Sequence, residues 1–234
     1  MIRIFIGYDP REPAAYHVLC HSILVRASIP VAFAPLALGG LREHLWRPRH
    51  PLQSTDFSFS RFLVPHLCGF EGWALFMDCD MLVLRDIAEL WEMRDAEMAV
   101  QVVKHCHAPR EARKFLGAEQ TRYPMKNWSS LMMFNNSRCT RLSPGYVNDA
   151  SGLDLHQFRW LEGPHEIGGI PAAWNHLVDY APPRPVEEIA NLHYTNGGPY
   201  FEDYASCGHA DLWFAERNRM LACASPKLAL SRAG

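Results

Sequence analysis

Two aspartates one residue apart, Asp78 and Asp80, have the spacing in this 234-residue chain that most directly implies chemistry. On an extended segment residues i and i+2 point to the same side, so both carboxylates face together while Cys79 faces away. Paired carboxylates suit a hard divalent cation, Mn2+ or Mg2+, which completes its shell with water and phosphate oxygens. The alternative is a strand-end turn with two solvated aspartates. The apolar runs on either side, Trp73-Ala74-Leu75-Phe76-Met77 and Met81-Leu82-Val83-Leu84, favour the ion. A charged pair between two buried segments is costly to desolvate unless a cation or donors compensate it. Asn127, Ser129, Ser130 and Asn135 offer neutral donors and acceptors suited to hydroxyl groups, with Trp128 supplying an apolar face, although Asn135 also suits a turn cap. His105 and His107 share one side of an extended segment, but two histidines without further spaced ligands are weak grounds for a soft-metal site.

These side chains need elements to hold them. Residues 2–8 read as a buried strand, followed by a helix whose apolar positions Tyr16, Leu19, Cys20, Ile23, Leu24 and Ala27 keep helical spacing. A second strand is predicted over 31–38, a short helix over 58–67, and a third strand over 73–77 that delivers Asp78. A short helix runs through Leu90-Trp91, and further strands are predicted over 98–103 and 131–134. The alternation predicts an α/β fold, a mostly parallel sheet flanked by helices, with ligands gathering at the carboxyl ends of the strands. From about Ser143 glycine and proline become frequent and periodicity weakens. Residues 143–234 therefore read as a less regular part that completes the site of a single domain, 1–234.

Composition excludes several classes of partner. Apolar residues at 48%, charged residues at 21% and a net charge of −2 lack the basic excess expected of a nucleic-acid binder. The seven cysteines are scattered and never form Cys-x-x-Cys, which argues against a disulfide framework or zinc ribbon and fits a reducing cytosol. The apolar run at 1–6 is too short for a signal peptide, and no stretch approaches the roughly 20 apolar residues of a transmembrane helix. The expectation is a soluble cytoplasmic protein, with peripheral association at the inner membrane as its extension.

The run Phe76-Met77-Asp78-Cys79-Asp80-Met81-Leu82-Val83-Leu84-Arg85-Asp86-Ile87-Ala88-Glu89-Leu90-Trp91 resembles the Asp-x-Asp block of glycosyltransferase family 8, the group of glycogenin and the lipopolysaccharide galactosyltransferases. Ser60-Arg61-Phe62-Leu63-Val64-Pro65 extends the similarity upstream. Downstream, the segment from Asn127 to Asn135 is similar to the family's Asn-x-Gly-x-Met-x-Phe-Asn strand. The resemblance implies an A-type glycosyltransferase (nucleotide-diphospho-sugar transferase) fold, a UDP-sugar donor, Mn2+ (or Mg2+), and retaining transfer of a hexose. The acceptor it implies is a hydroxyl of a glycan, lipopolysaccharide or other carbohydrate or lipid-linked molecule. Leu192-His193-Tyr194-Thr195-Asn196-Gly197-Gly198-Pro199-Tyr200 looks like a shortened form of the family's His-x-x-Gly-x-x-Lys-Pro-Trp motif. That match makes His193 the third metal ligand and puts Gly197 and Gly198 at the diphosphate; without it, His193 reads as a loop histidine. No lysine precedes Pro199, and Arg61 or Lys104 is the candidate substitute.

By the same resemblance Tyr8 and Asp9 face the uracil and ribose, although a capping role also suits Asp9; Asn127 and Ser129, by their neutral donors and acceptors, are candidates for sugar recognition. Asp154 and Gln157 fall where the family has its acceptor-side Asp-Gln-Asp motif. The segment from Gly168 to Asn175 resembles the family's Leu-Pro-x-x-Trp-Asn strand, in which Trp174 reads as packing. A sugar nucleotidyltransferase is the rival enzyme, but its Gly-rich phosphate loop is absent from Gly7-Tyr8-Asp9-Pro10-Arg11-Glu12-Pro13. A non-catalytic nucleotide-sugar or glycan-binding module fits the missing lysine, whereas the metal ligands favour the transferase.

Overall fold

The N-terminal apolar run forms strand β1 (Ile2–Gly7), buried everywhere except at Arg3. Such a strand belongs at the centre of a sheet. It pairs in parallel with β2 (Val31–Leu36) on one side and with β3 (Trp73–Met77) on the other. Between them helix α1 (Pro13–Leu24) starts on a proline, where the missing N–H costs nothing, and buries Ala15, Val18, Leu19, Ser22 and Ile23. The computed structural model describes residues 1–50, 53–106, 113, 115–117 and 123–222.

The sheet continues from β3 to β6 (Leu131–Asn135) and β5 (Val100–Val102), both pairings antiparallel, and then to β7 (Ile167–Gly169) in parallel. Its order is β2-β1-β3-β6-β5-β7, with β6 alone reversed. This is the expected mostly parallel α/β architecture. A second sheet contains β4 (Met81–Val83), β9 (Asn191–His193) and β8 (His176–Leu177), in the order β4-β9-β8.

Short helices surround the sheets. Residues 58–67 resolve into a 3-10 turn, Ser60–Leu63, and then α2 (Val64–Leu67). Asp86 caps α3 (Ile87–Glu92) by accepting from Ala88 N. Ser143 and Ser151 cap α4 (Pro144–Asp149) and α5 (Gly152–His156) in the same way. The C-terminal part is more regular than its glycine and proline content suggests: it supplies β7 to the main sheet, two strands to the second, and α6 (Ala210–Leu221). Only Trp213 and Glu216 of α6 are buried, so the helix has almost no apolar stripe for sequence periodicity to reveal.

The main core lies along the large sheet, and a smaller apolar cluster of Val18, Leu82, Val178, Ile189, Leu192, Tyr194 and Trp213 joins α1, the second sheet and α6. Among the described residues no helix is long and apolar enough to cross a membrane, and Cys20, Cys68, Cys79, Cys106, Cys139 and Cys207 are unbridged. Cys223 and His107 lie outside the described residues.

Candidate metal centre and pocket

Strand β3 ends at Met77, and Asp78 N then donates to Ser130 O at 2.9 Å, which fixes the first aspartate at the strand's carboxyl end. Antiparallel pairing sets Met81 opposite His193, and Tyr194 N donates to Asp80 O at 2.9 Å. The two sheets thus bring three side chains together whose ligand atoms all lie within 4.8 Å of one another: Asp78, Asp80 and His193. Nε2 of His193 is 3.4 Å from Asp80 Oδ1 and 4.0 Å from Asp78 Oδ2. Cys79 faces the other way, into the core at 1% exposure, where burial pushes its thiol well above the usual range.

A chain of hydrogen bonds behind His193 sets its tautomer. The carbonyl of Asn127 can only accept, so Ser130 Oγ–H donates to it, at 2.6 Å. Ser130 Oγ in turn accepts from Asn175 Nδ2 at 2.8 Å, which turns Asn175 Oδ1 toward His193 Nδ1, 2.9 Å away. Nδ1 must carry the proton, and Nε2 is the nitrogen that faces the two carboxylates. A ligating histidine whose second nitrogen is held by a neutral acceptor is the usual second layer of a metal site. Asp80 Oδ1 is buried with no hydrogen-bond partner among the described residues. Two carboxylates, one of them with an unsatisfied buried oxygen, and an imidazole nitrogen fit a divalent cation.

The three residues line a pocket of about 560 Å3. Of the other residues singled out in the sequence, Arg61, Asn127, Ser129 and Ser130 also line it. Arg61 is only 6% exposed; its Nη1 reaches Asp78 Oδ1 and Ser129 O, both at 2.8 Å, and its Nε donates to Phe57 O. This arginine therefore orients Asp78, and its guanidinium is engaged by protein groups where the sequence suggested a phosphate contact. Asn127 sits at a left-handed φ of 66° with Nδ2 buried and unpartnered among the described residues. Ser129 Oγ bonds His156 Nδ1 at 2.7 Å.

The remaining candidates lie outside the pocket walls. Tyr8 packs edge-on against Tyr16, with centroids 5.5 Å apart. Asp9, 1% exposed, holds a loop: Arg11 N and Nε donate to Oδ1, and Arg11 Nη2 and Asp56 N donate to Oδ2. Burial alone would raise its pKa, but those bonds hold it below the usual value. Lys104 donates to Ile167 O at 2.7 Å. Gly197 has a φ of 146°, which favours glycine, and a Cβ on Gly198 would come within 2.2 Å of the Tyr200 ring. Tyr200 OH donates to the buried Glu12. These glycines thus shape the loop that seats Tyr200. Asp154 and Gln157 both bond Arg159 beside the pocket.

Asn135 is displaced for a reason of topology. Because β6 is reversed, Leu131 pairs with Met77 next to the site and Asn135 pairs with Trp73 at the far end of β3. Trp128 bonds His105 O at 2.9 Å and is absent from the pocket lining.

Several lining residues escaped the sequence reading. His156 enters the pocket from α5, in contrast to Asp154 and Gln157. Burial, with Arg61, Lys126 and Arg47 nearby, holds its imidazole well below the usual histidine range. Lys126 lines the wall with its Nζ 5.1 Å from the Tyr123 ring centroid, and burial pushes the Tyr123 hydroxyl up to about 12. Asn175 had one signal available, its place directly after Trp174 in the recognised segment.

No family model matches the chain. Protein CDI of Arabidopsis thaliana is 48% identical over 221 residues, spanning 92% of this chain and 85% of that protein. The chain belongs to the Protein CDI family. Solved structures place this chain's fold among the A-type glycosyltransferase folds. The galactosyltransferase LgtC in complex with donor and acceptor sugar analogs matches with a TM-score of 0.57 at 12% identity, over 97% of this chain and 99% of that one. The apo-form glycosyltransferase GlyE of Streptococcus pneumoniae TIGR4 matches with a TM-score of 0.62 at 12% identity, over 99% of this chain and 63% of that one. The bifunctional WbbM matches at 0.60 and 13%, and this Protein CDI family member spans 92% of itself but only 49% of the WbbM chain. At such identities the likeness establishes the fold.

Proposed function

We propose that the chain is a single-domain, metal-dependent glycosyltransferase of the family 8 type. It moves a hexose from a UDP-sugar to a carbohydrate or lipid-linked hydroxyl with retention of configuration, in the cytoplasm. The observation that carries this reading is the Asp78, Asp80 and His193 cluster in the wall of a pocket at the carboxyl end of β3. Such a cluster has little use in a plain glycan binder, whereas a diphosphate-bound cation needs one.

When bound, the divalent ion neutralises charge that develops on the departing diphosphate. The chain's own residues do the rest. Asp78, Asp80 and His193 hold the ion, and Arg61 keeps Asp78 aimed at it. Lys126, on the same pocket wall, supplies the positive charge missing before Pro199, and Asn127 Nδ2 donates to a donor oxygen. Phe57, Phe59, Tyr123 and Leu153 exclude water from the reacting end.

Thermal melting with UDP tests this reading. UDP is expected to raise the melting temperature only when Mn2+ is present, by an amount equivalent to about 2.7 kcal/mol at a hundredfold excess over Kd. Asp80→Asn abolishes the response. Stabilisation without the metal, or by no nucleotide, overturns the proposal, and release of UDP from a panel of donors separates a transferase from a binder.

A further inference from the structure

A second cavity, of about 290 Å3, has three arginines in its wall, Arg42, Arg47 and Arg49, and no carboxylate. Arg47, Gln53 and Phe59 line both this cavity and the main pocket, so the two share a wall. That wall is firmly built. The Arg47 guanidinium lies 3.8 Å from the Phe59 ring centroid and donates to Val147 O at 2.7 Å. Backbone N–H groups of Trp46 and Arg47 both donate to Asn148 Oδ1, at 2.7 and 2.8 Å. Asn148, 8% exposed, donates back to His44 O and Pro144 O. Arg49 pairs with Asp56, whereas Arg42 is exposed and makes no hydrogen bond or ion pair among the described residues.

With Arg49 neutralised by Asp56 and Arg47 only in the field of Asp149, Arg42 and Arg47 remain the two cations facing the cavity, and a bound anion relieves the repulsion between them. Guanidinium groups present forked donors that match a phosphate or carboxylate in pairs. Leu38, Leu45 and the Phe59 ring add apolar wall beside those donors. Asp78, Asp80 and His193, which serve the donor diphosphate in the transferase reading, do not line this cavity. We infer that the arginine-lined cavity is the acceptor subsite and that the acceptor carries a phosphate or carboxylate read by Arg42 and Arg47. This inference rests on the transferase reading and adds the chemical class of its acceptor. An acidic or phosphorylated soluble sugar and an anionic lipid headgroup share this chemistry.

The test uses the full chain, with and without Mn2+ and UDP. Titration calorimetry compares methyl glucuronide and glucose 6-phosphate with neutral methyl glucoside, and co-sedimentation compares phosphatidylcholine vesicles with and without phosphatidylinositol. The anionic probe of the right source is expected to bind at least about tenfold more tightly than its neutral counterpart, and Arg42→Gln to remove about tenfold, the scale of one charge-assisted contact. Preference for the soluble anions assigns the acid sugar, and preference for the charged vesicles assigns the headgroup. Equal binding of neutral and anionic probes, no binding of either anionic class, or wild-type affinity in a folded Arg42→Gln variant overturns the inference. Loss of Mn2+-dependent UDP binding in the wild-type sample is a separate result and overturns the transferase reading.

Discussion

His193 Nδ1 donates to Asn175, and that bond decides which nitrogen faces the two aspartates. Asn175→Ala removes the acceptor and lets the ring change tautomer or turn. Mn2+ affinity in the presence of UDP is expected to fall about 10–100-fold, the usual cost of losing such a partner, as read by electron paramagnetic resonance of free Mn2+. An unchanged affinity would show that the tautomer is held by something other than this relay. The residue scale is also where the sequence misled most. In Gly152–His156 the chain offers Asp154, His156 and the neighbouring Gln157 as polar candidates, and spacing alone does not say which way a single helical turn faces. The structure turns His156 inward, because its ring packs on Phe62 and bonds Ser129, and leaves Asp154 to Arg159. Asp9 was misleading for a related reason: an aspartate after a strand suits a ligand or a loop clamp equally, and only Arg11 and the Asp56 amide reveal the clamp.

At the scale of elements, α6 shows how a helix with little apolar surface is fastened. Glu216, 3% exposed, accepts from His21 and Arg26 of the α1 region at 2.6 and 2.8 Å and pairs with Arg219 of its own helix at 3.3 Å. Burial would raise its pKa, but the Arg26 and His21 contacts bring it below the usual value. Glu216→Ala removes the buried acceptor of His21 and Arg26, which keep part of their own solvent contact, and a loss of roughly 1–3 kcal/mol is expected in denaturant unfolding, the scale of losing a buried hydrogen-bond partner. Faster proteolysis within α6 should accompany it; full stability would show that Trp213 alone docks the helix. The elements that were legible, β1, α1 and β3, carry their apolar pattern in their own residues. Those that were not, α6 and the short strands β8 and β9, are held by partners elsewhere in the chain.

For the whole molecule, the buried neutral His156 predicts a pH dependence. Its folded pKa lies well below that of the unfolded chain, so only the unfolded chain gains a proton as pH falls through about 6.5. The stability tied to the neutral ring is complete above that pH and is lost below it, at up to about 1.4 kcal/mol per pH unit. Denaturant unfolding between about pH 7 and about pH 5 should show this slope, and His156→Gln, which keeps an acceptor for Ser129, should reduce it. Equal slopes in the two proteins would remove the histidine from the account. The same whole-molecule view separates what was local from what was not. The sequence by itself determined the strand that ends at Met77, the two aspartates after it and the apolar run that follows, because those patterns are local; the backbone then bends at Cys79 and Asp80 and does not stay extended. The tertiary structure alone decided that Met81 pairs with His193, that reversed β6 brings Ser129 to the site in place of Asn135, and that Asn175 stands behind the imidazole. Each depends on strand register or on contact between distant segments, and no local pattern of residues encodes either.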